Sequence, residues 1–335
     1  MAKERLIWLD SLKGWLILIV VLGHAIQYCL PEDACESDYL WNLIYSFHMP
    51  AFMAASGFIN YRSIRNVGGY FTLCKRRSYQ LLVPFILWSL IKWLLSSAHS
   101  FSGFFYSTFI SGGFFWFLWA LWAITIIFLI GEGLSQMLNI KNEFIIGVIA
   151  LILVGIMVVL DFRMFGFQFI AYYFMFYAFG YYCNKYKQLL TSNKYVMWVI
   201  FLVWFVLGSF WNMHDLPFFL RGIPFVPSTM LQYAYRFATA FVAIYLIFSA
   251  APMLLNAKNK ANEKVAHIGQ ISLGIYVVHL TLIIPMSPWL VRILPNVPMV
   301  VVILISFLLA SIISITIVEL LNKNKYTSRY LLGKI

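Results

Sequence analysis

Charge is scarce in this sequence. Only 11% of its 335 residues are charged, and 12 of them are acidic. Its longest polar stretches run to about 10–20 residues, too short to fold as a soluble domain of their own. Cysteine is sparse as well. The four, Cys29, Cys35, Cys74 and Cys183, follow no zinc or dithiol spacing, and the sequence leaves open only a Cys29–Cys35 bridge in an oxidising compartment. No low-complexity tract, no interdomain linker and no inverted repeat of the transporter kind is visible.

What the chain does contain is apolar sequence. Hydrophobic residues make up 62% of it, with a mean hydropathy of +0.84, more than a soluble domain of this length can bury. Apolar runs of about 20 residues recur, and a run of that length crosses a bilayer. The expectation is an all-α, polytopic membrane helix bundle, one integral-membrane domain over residues 1–335. Ten spans are expected near 7–30, 40–61, 80–98, 113–135, 144–160, 167–183, 195–211, 231–250, 268–288 and 297–321.

The net charge of +12 does not point to nucleic acid, because of where the cations fall. Lys3, Arg5, Arg62, Arg65, Lys75, Arg76, Arg77, Lys258, Lys260 and Lys264 gather on one side of the alternating spans. The other side carries Glu32, Asp33, Glu36 and Asp38. This positive-inside bias puts both termini in the cytoplasm. The first span is expected to be retained, since no small-x-small cleavage site follows it. Two outer segments are longer, 99–112 and 212–230. The second mixes His214, Asp215 and Arg221 with prolines and aromatics, either as a binding mouth or as an interfacial anchor.

Ionisable groups inside spans are costly and usually face a protein interior or a wet cavity. Lys13 and His24 are eleven positions apart, three turns plus about 20°, so they share one helix face about 16 Å apart along the axis. A cation at the mouth can hold an anionic head while the imidazole meets the reactive end. The plainer alternatives are a snorkelling lysine and a histidine bonded to a neighbouring helix. In "YSFHMPAFMAASGF", His48 falls at about the depth of His24. Small residues such as Gly14, Gly23, Ala51 and Gly57 are expected to let the first two spans approach closely. In "CKRRSYQLLVP", Lys75, Arg76 and Arg77 suit phosphate oxygens or serve as topology signals. In "ISLGIYVVHL", Ser272, Tyr276 and His279 form a polar stripe at i, i+4 and i+7. Glu319 is a further interior charge or a lysine's partner.

Four blocks, "WLDSLKGWLILIVVLGH", "SFHMPAFMAASGF", "FFWFLWAL" and "IGQISLGIYVVHL", resemble in order those of the membrane proteins called acyltransferase family 3. The likeness covers nearly the whole chain. It implies a ten-helix bundle in a bacterial cytoplasmic membrane. Such a bundle takes an acyl group, acetyl above all, from cytoplasmic acyl-coenzyme A to a hydroxyl of a glycan or lipid-linked sugar at the outer face. Acyl-coenzyme A enters as co-substrate, with no bound cofactor and no metal, and the other partners are membrane lipids. By the basic-x10-His element, His24 is implied as the catalytic histidine and Lys13 as the basic partner. Arg76 and Arg77 are implied in donor binding, although the family's Arg-x-x-Arg is here Arg77 followed by Gln80. His48, Tyr276 and His279 are expected on the supporting or acceptor side. Acyl-histidine and direct transfer both stay open. The rival readings are a polysaccharide or lipid-sugar exporter, and a sensing or scaffold module, the latter disfavoured because the chain ends without a signalling domain.

Overall fold

The computed structural model describes residues 6–61, 67–96, 100–111, 113–256 and 259–334. Helix dominates the described residues, and no strand is found among them. Lys3, Arg5, Arg62, Arg65 and Lys258 lie outside them. The α-helices in order are α1 Ile7–Cys29, α2 Glu32–Ser37, α3 Tyr39–Tyr45, α4 His48–Asn60, α5 Val67–Leu95, α6 Phe101–Phe105, α7 Trp116–Leu138 and α8 Asn142–Val159. They continue with α9 Phe167–Lys185, α10 Lys194–Ser209, α11 Ser228–Leu254, α12 Lys260–Gln270, α13 Ser272–Ile293, α14 Met299–Lys323 and α15 Lys325–Leu332.

Seven described helices are long and apolar enough to cross a membrane: α1, α5, α7, α8, α11, α13 and α14. The other three expected spans differ for distinct reasons. The second breaks at Ser46–Phe47 into α3 and α4. The 13 residues of α4 rise only about 20 Å against a hydrocarbon core of about 30 Å. Its run from Met49 to Ala55 is buried in protein, so the short helix has little lipid contact to satisfy. The sixth, α9, has the length, but its tyrosines lower its apolarity. The seventh, α10, stops at 16 residues.

The chain divides into two compact units. The first comprises residues up to Ala55 together with Tyr186–Glu319. In it α1 packs on α12 and α13, and α10 on α11. The α1–α12 contact is backbone on backbone. A side chain at Gly14 would run into the Val265 carbonyl, and one at Gly269 into that of Asp10. Glycine at both positions is what lets the helices meet, and Ser11 Oγ donates to the Asn262 carbonyl at 3.4 Å beside them. Gly14 therefore serves α12 and not the second span as expected. Gly23 does face that span, against Ile44 and Tyr45.

The second unit comprises Ser56–Lys185 and Leu320–Ile335, where α7 packs on α5, α8 and α9. Its polar contacts are internal: Tyr181 donates to Glu132, Gln136 to Tyr70 at 2.8 Å, and Lys185 pairs with Glu143 at 2.5 Å. The "CKRRS" stretch, expected as an inner loop, is helical, because α5 starts at Val67 and runs through it. The 100–111 part of the expected first outer loop forms α6 and a turn of π-helix.

Candidate active site

The first unit assembles a histidine cluster. His24, on the continuous helix α1, is half-buried, and its Nδ1 lies 3.0 Å from the Val20 carbonyl. His279, on α13, is fully buried. Its Nδ1 lies 2.8 Å from the Ile275 carbonyl and its Nε2 lies 3.3 Å from His24 Nδ1. The stripe of Tyr276 and His279 thus faces the interior as its periodicity predicts; both side chains are buried.

The tautomers are assigned from these partners. A carbonyl oxygen only accepts, so His279 Nδ1 carries the hydrogen and its Nε2 the lone pair. His24 Nδ1 faces two acceptors, the Val20 oxygen and that lone pair, so it too must be the N–H. Neutral His24 is left with a bare Nε2, which is what a general base requires. The arrangement is that of a histidine held by an acceptor behind it, with a neutral imidazole where hydrolases place a carboxylate.

His48 is buried and its Nδ1 lies 2.7 Å from the Ile44 carbonyl. It reaches His24 through Tyr45, whose ring centroid is 4.7 Å from that of His48 and 6.5 Å from that of His24. Tyr45, unmarked in the sequence reading, is central: Trp41 stacks on it at 4.0 Å, and its hydroxyl donates to Gln27 Oε1 at 2.7 Å. Tyr28 lies nearly parallel to His24 at 6.4 Å.

Lys13 is not alone at its end of the face. Its ammonium pairs with Asp10 at 3.0 Å, with 19% of its side chain exposed. An acidic residue three positions away was the available signal, since i, i+3 pairs meet on a helix. Arg76 is exposed, whereas Arg77 turns inward and donates to Asn60 and, at 2.9 Å, to Gln80. The partner of Glu319 is His267, at 3.2 Å, and not a lysine. His214 pairs with Glu36 at 3.1 Å, and Asn212 donates to the Glu36 carbonyl at 3.1 Å, tying the outer segment to α2. Cys29 and Cys35 are both free and buried, in different apolar clusters. Burial, with Asp38 and Glu36 nearby, pushes the Cys35 thiol up to about 12, so its reactive thiolate is suppressed.

A half-buried histidine with a basic nitrogen, inside a multi-pass all-α bundle, suits proton-transfer chemistry in a membrane enzyme. The family model described as an acyltransferase domain, acyltransferase 3, matches residues 6–318, and the chain belongs to that family of membrane acyltransferases. It is 37% identical over 97 residues to the nodulation protein NolL of Mesorhizobium japonicum, a match covering 27% of this chain and 24% of that protein. Against NolL of Sinorhizobium fredii it is 37% identical over 95 residues, 26% of this chain and 24% of the relative. The match spans about a quarter of the length of each relative. No solved structure matches the chain.

Proposed function

We propose that this protein is an O-acyltransferase of the bacterial cytoplasmic membrane. It moves an acyl group, acetyl by preference, from acyl-coenzyme A on the cytoplasmic side to a hydroxyl of a glycan or lipid-linked sugar beyond the other face. The observation that carries the reading is His24 Nδ1 set between the Val20 carbonyl and His279 Nε2, which leaves Nε2 as the basic nitrogen. In the step, Nε2 takes the proton of the acceptor hydroxyl as its oxygen attacks the thioester carbonyl carbon. The carbon–sulfur bond breaks, and the coenzyme A thiolate leaves and recovers the proton from the imidazolium. Ester and thiol replace alcohol and thioester, with no change of oxidation state. The Nδ1–H donates throughout, so the ring need not reorient. Purified protein in nanodiscs, given radiolabelled acetyl-coenzyme A and lipid-linked oligosaccharide from the producing cells, should label the sugar. A monodisperse preparation that labels none contradicts the reading.

Lys13 stands about 16 Å from His24 along α1, a gap the long pantetheine arm of coenzyme A can bridge with its phosphates at the lysine. Asp10 then orients the ammonium. Lys13→Arg should keep substantial activity and Lys13→Met should weaken donor binding. An acetyl thioester lacking the nucleotide should react poorly and be nearly indifferent to Lys13→Met. Equal losses for both donors would remove Lys13 from phosphate binding.

The two arginines of α5 take different parts in this reading. Arg76 is exposed on α5, and if it meets donor phosphates Arg76→Ala should raise the KM for acyl-coenzyme A much more than it lowers kcat, as loss of uniform binding does. Arg77→Ala removes a tie to Asn60 and Gln80 and should lower the thermal unfolding temperature instead. An unchanged donor KM for Arg76→Ala would return that residue to topology alone.

A further inference from the structure

Beyond His24, on the side away from Lys13, α1 presents Gln27 and Tyr28, three and four residues further on and so on the same face. With Tyr45 of α3 they form a half-buried wall over a buried layer of Trp41, His48 and His279. We propose that Gln27, Tyr28 and Tyr45 form the subsite for one neutral pyranose ring of the acceptor. The assignment rests on the acyl-transfer reading for its order along the helix. If the donor runs from Lys13 to His24 with its acyl end at the imidazole, the face past His24 belongs to the molecule that receives the group.

The chemistry of the wall selects the ligand class. A pyranose has apolar C–H faces and a rim of hydroxyls. Aromatic faces carry negative charge density that suits C–H groups, and the near-parallel His24 and Tyr28 rings, 17° apart, offer flat walls to such a face. Tyr45 is held between Trp41 and His48, and its hydroxyl occupies Gln27 Oε1. That bond orients the carboxamide and leaves the two Nε2 hydrogens to donate to ligand oxygens. A lipid tail in the same place would strand that donor away from water, at a cost of about 1–3 kcal/mol in general. Gln27, Tyr28 and Tyr45 are an amide and two phenols, so a uronate or phosphate would find no counter-charge on them.

Saturation-transfer NMR on the full chain in nanodiscs tests the subsite without turnover. The probes are methyl glucopyranoside, galactopyranoside and mannopyranoside, with methyl glucuronide as the charged control. At least one neutral pyranoside should receive saturation, strongest at its ring C–H positions and ahead of the glucuronide. Gln27→Ala should weaken binding about three- to tenfold, the range of one hydrogen bond. Tyr28→Leu should weaken it further, while Tyr28→Phe, which keeps the ring, should bind as the wild type. Binding unchanged by both Gln27→Ala and Tyr28→Leu, or a preference for the glucuronide, overturns the proposal even if acyl transfer is observed. Wall-dependent pyranoside binding by a protein that transfers no acyl group supports the subsite and removes only the acyl-transfer reading.

Discussion

His24→Ala should lower acyl transfer about 10²–10⁴-fold, the loss typical of a missing general base, while the protein stays monodisperse and inserted. The fold should survive for two reasons. The side chain is only half-buried, and its hydrogen bonds are to a carbonyl of its own helix and to His279, so no charge is orphaned when it goes. The α1–α12 contact at Gly14 and Gly269 lies about 15 Å away along α1 and is untouched. Radiolabel transfer and size-exclusion profiles on the same preparation check both halves of the expectation. Near-normal turnover in a well-folded variant would take His24 out of the mechanism.

The second large effect belongs to a residue that touches neither substrate in this account. His279 Nε2 accepts from His24 Nδ1–H, and His279 is anchored in turn on the Ile275 carbonyl. It is a positioning residue, and its influence reaches the reaction through the tautomer of His24. His279→Leu should lower kcat about 10–100-fold, the range for partners that orient a functional imidazole, with the KM for acyl-coenzyme A little changed. His279→Gln reaches about the place of Nε2 with its side-chain amide oxygen and should recover much of the loss. A purely structural role gives a different pattern: both variants would lower the unfolding temperature in step with activity, and the glutamine would rescue neither.

Much of this site was legible from residues in one helix. Periodicity alone put Lys13 and His24 on one face of α1, and Tyr276 with His279 on an inward stripe, because the 3.6-residue repeat carries that information. The Asp10–Lys13 pair was within the same reach, at i, i+3. What periodicity cannot deliver is the meeting of His24 with His279, 255 positions apart, or of Gln27 with Tyr45 across two helices. Those contacts depend on how α1, α3 and α13 pack. Tracking apolar runs also hid helices that do not need lipid. Helix α12 carries Lys260, Glu263 and Lys264 on an amphipathic 11-residue segment, and the cationic start of α5 dilutes its apolarity. Helix α12 forms by packing on α1, and the start of α5 lies ahead of the run expected near 80–98, although the helix as a whole is apolar enough to cross a membrane. The small residues do mark contact points, but Gly14 serves α12 and Gly57 meets Tyr177 of α9, partners no residue pattern named.

In this mechanism neutral His24 carries its proton on Nδ1 and offers Nε2 as the base. Nitrogen-15 NMR of histidine-labelled protein in nanodiscs reads this directly, with the His24 ring assigned by its disappearance in His24→Ala. The two-bond proton–nitrogen coupling pattern should report an Nδ1–H tautomer with an unprotonated Nε2, shifting toward the Nε2–H form in His279→Leu as the second acceptor is lost. A wild-type His24 protonated at Nε2 and bare at Nδ1 would contradict the claim, since the nitrogen facing the substrate would then have no lone pair with which to take the hydroxyl's proton.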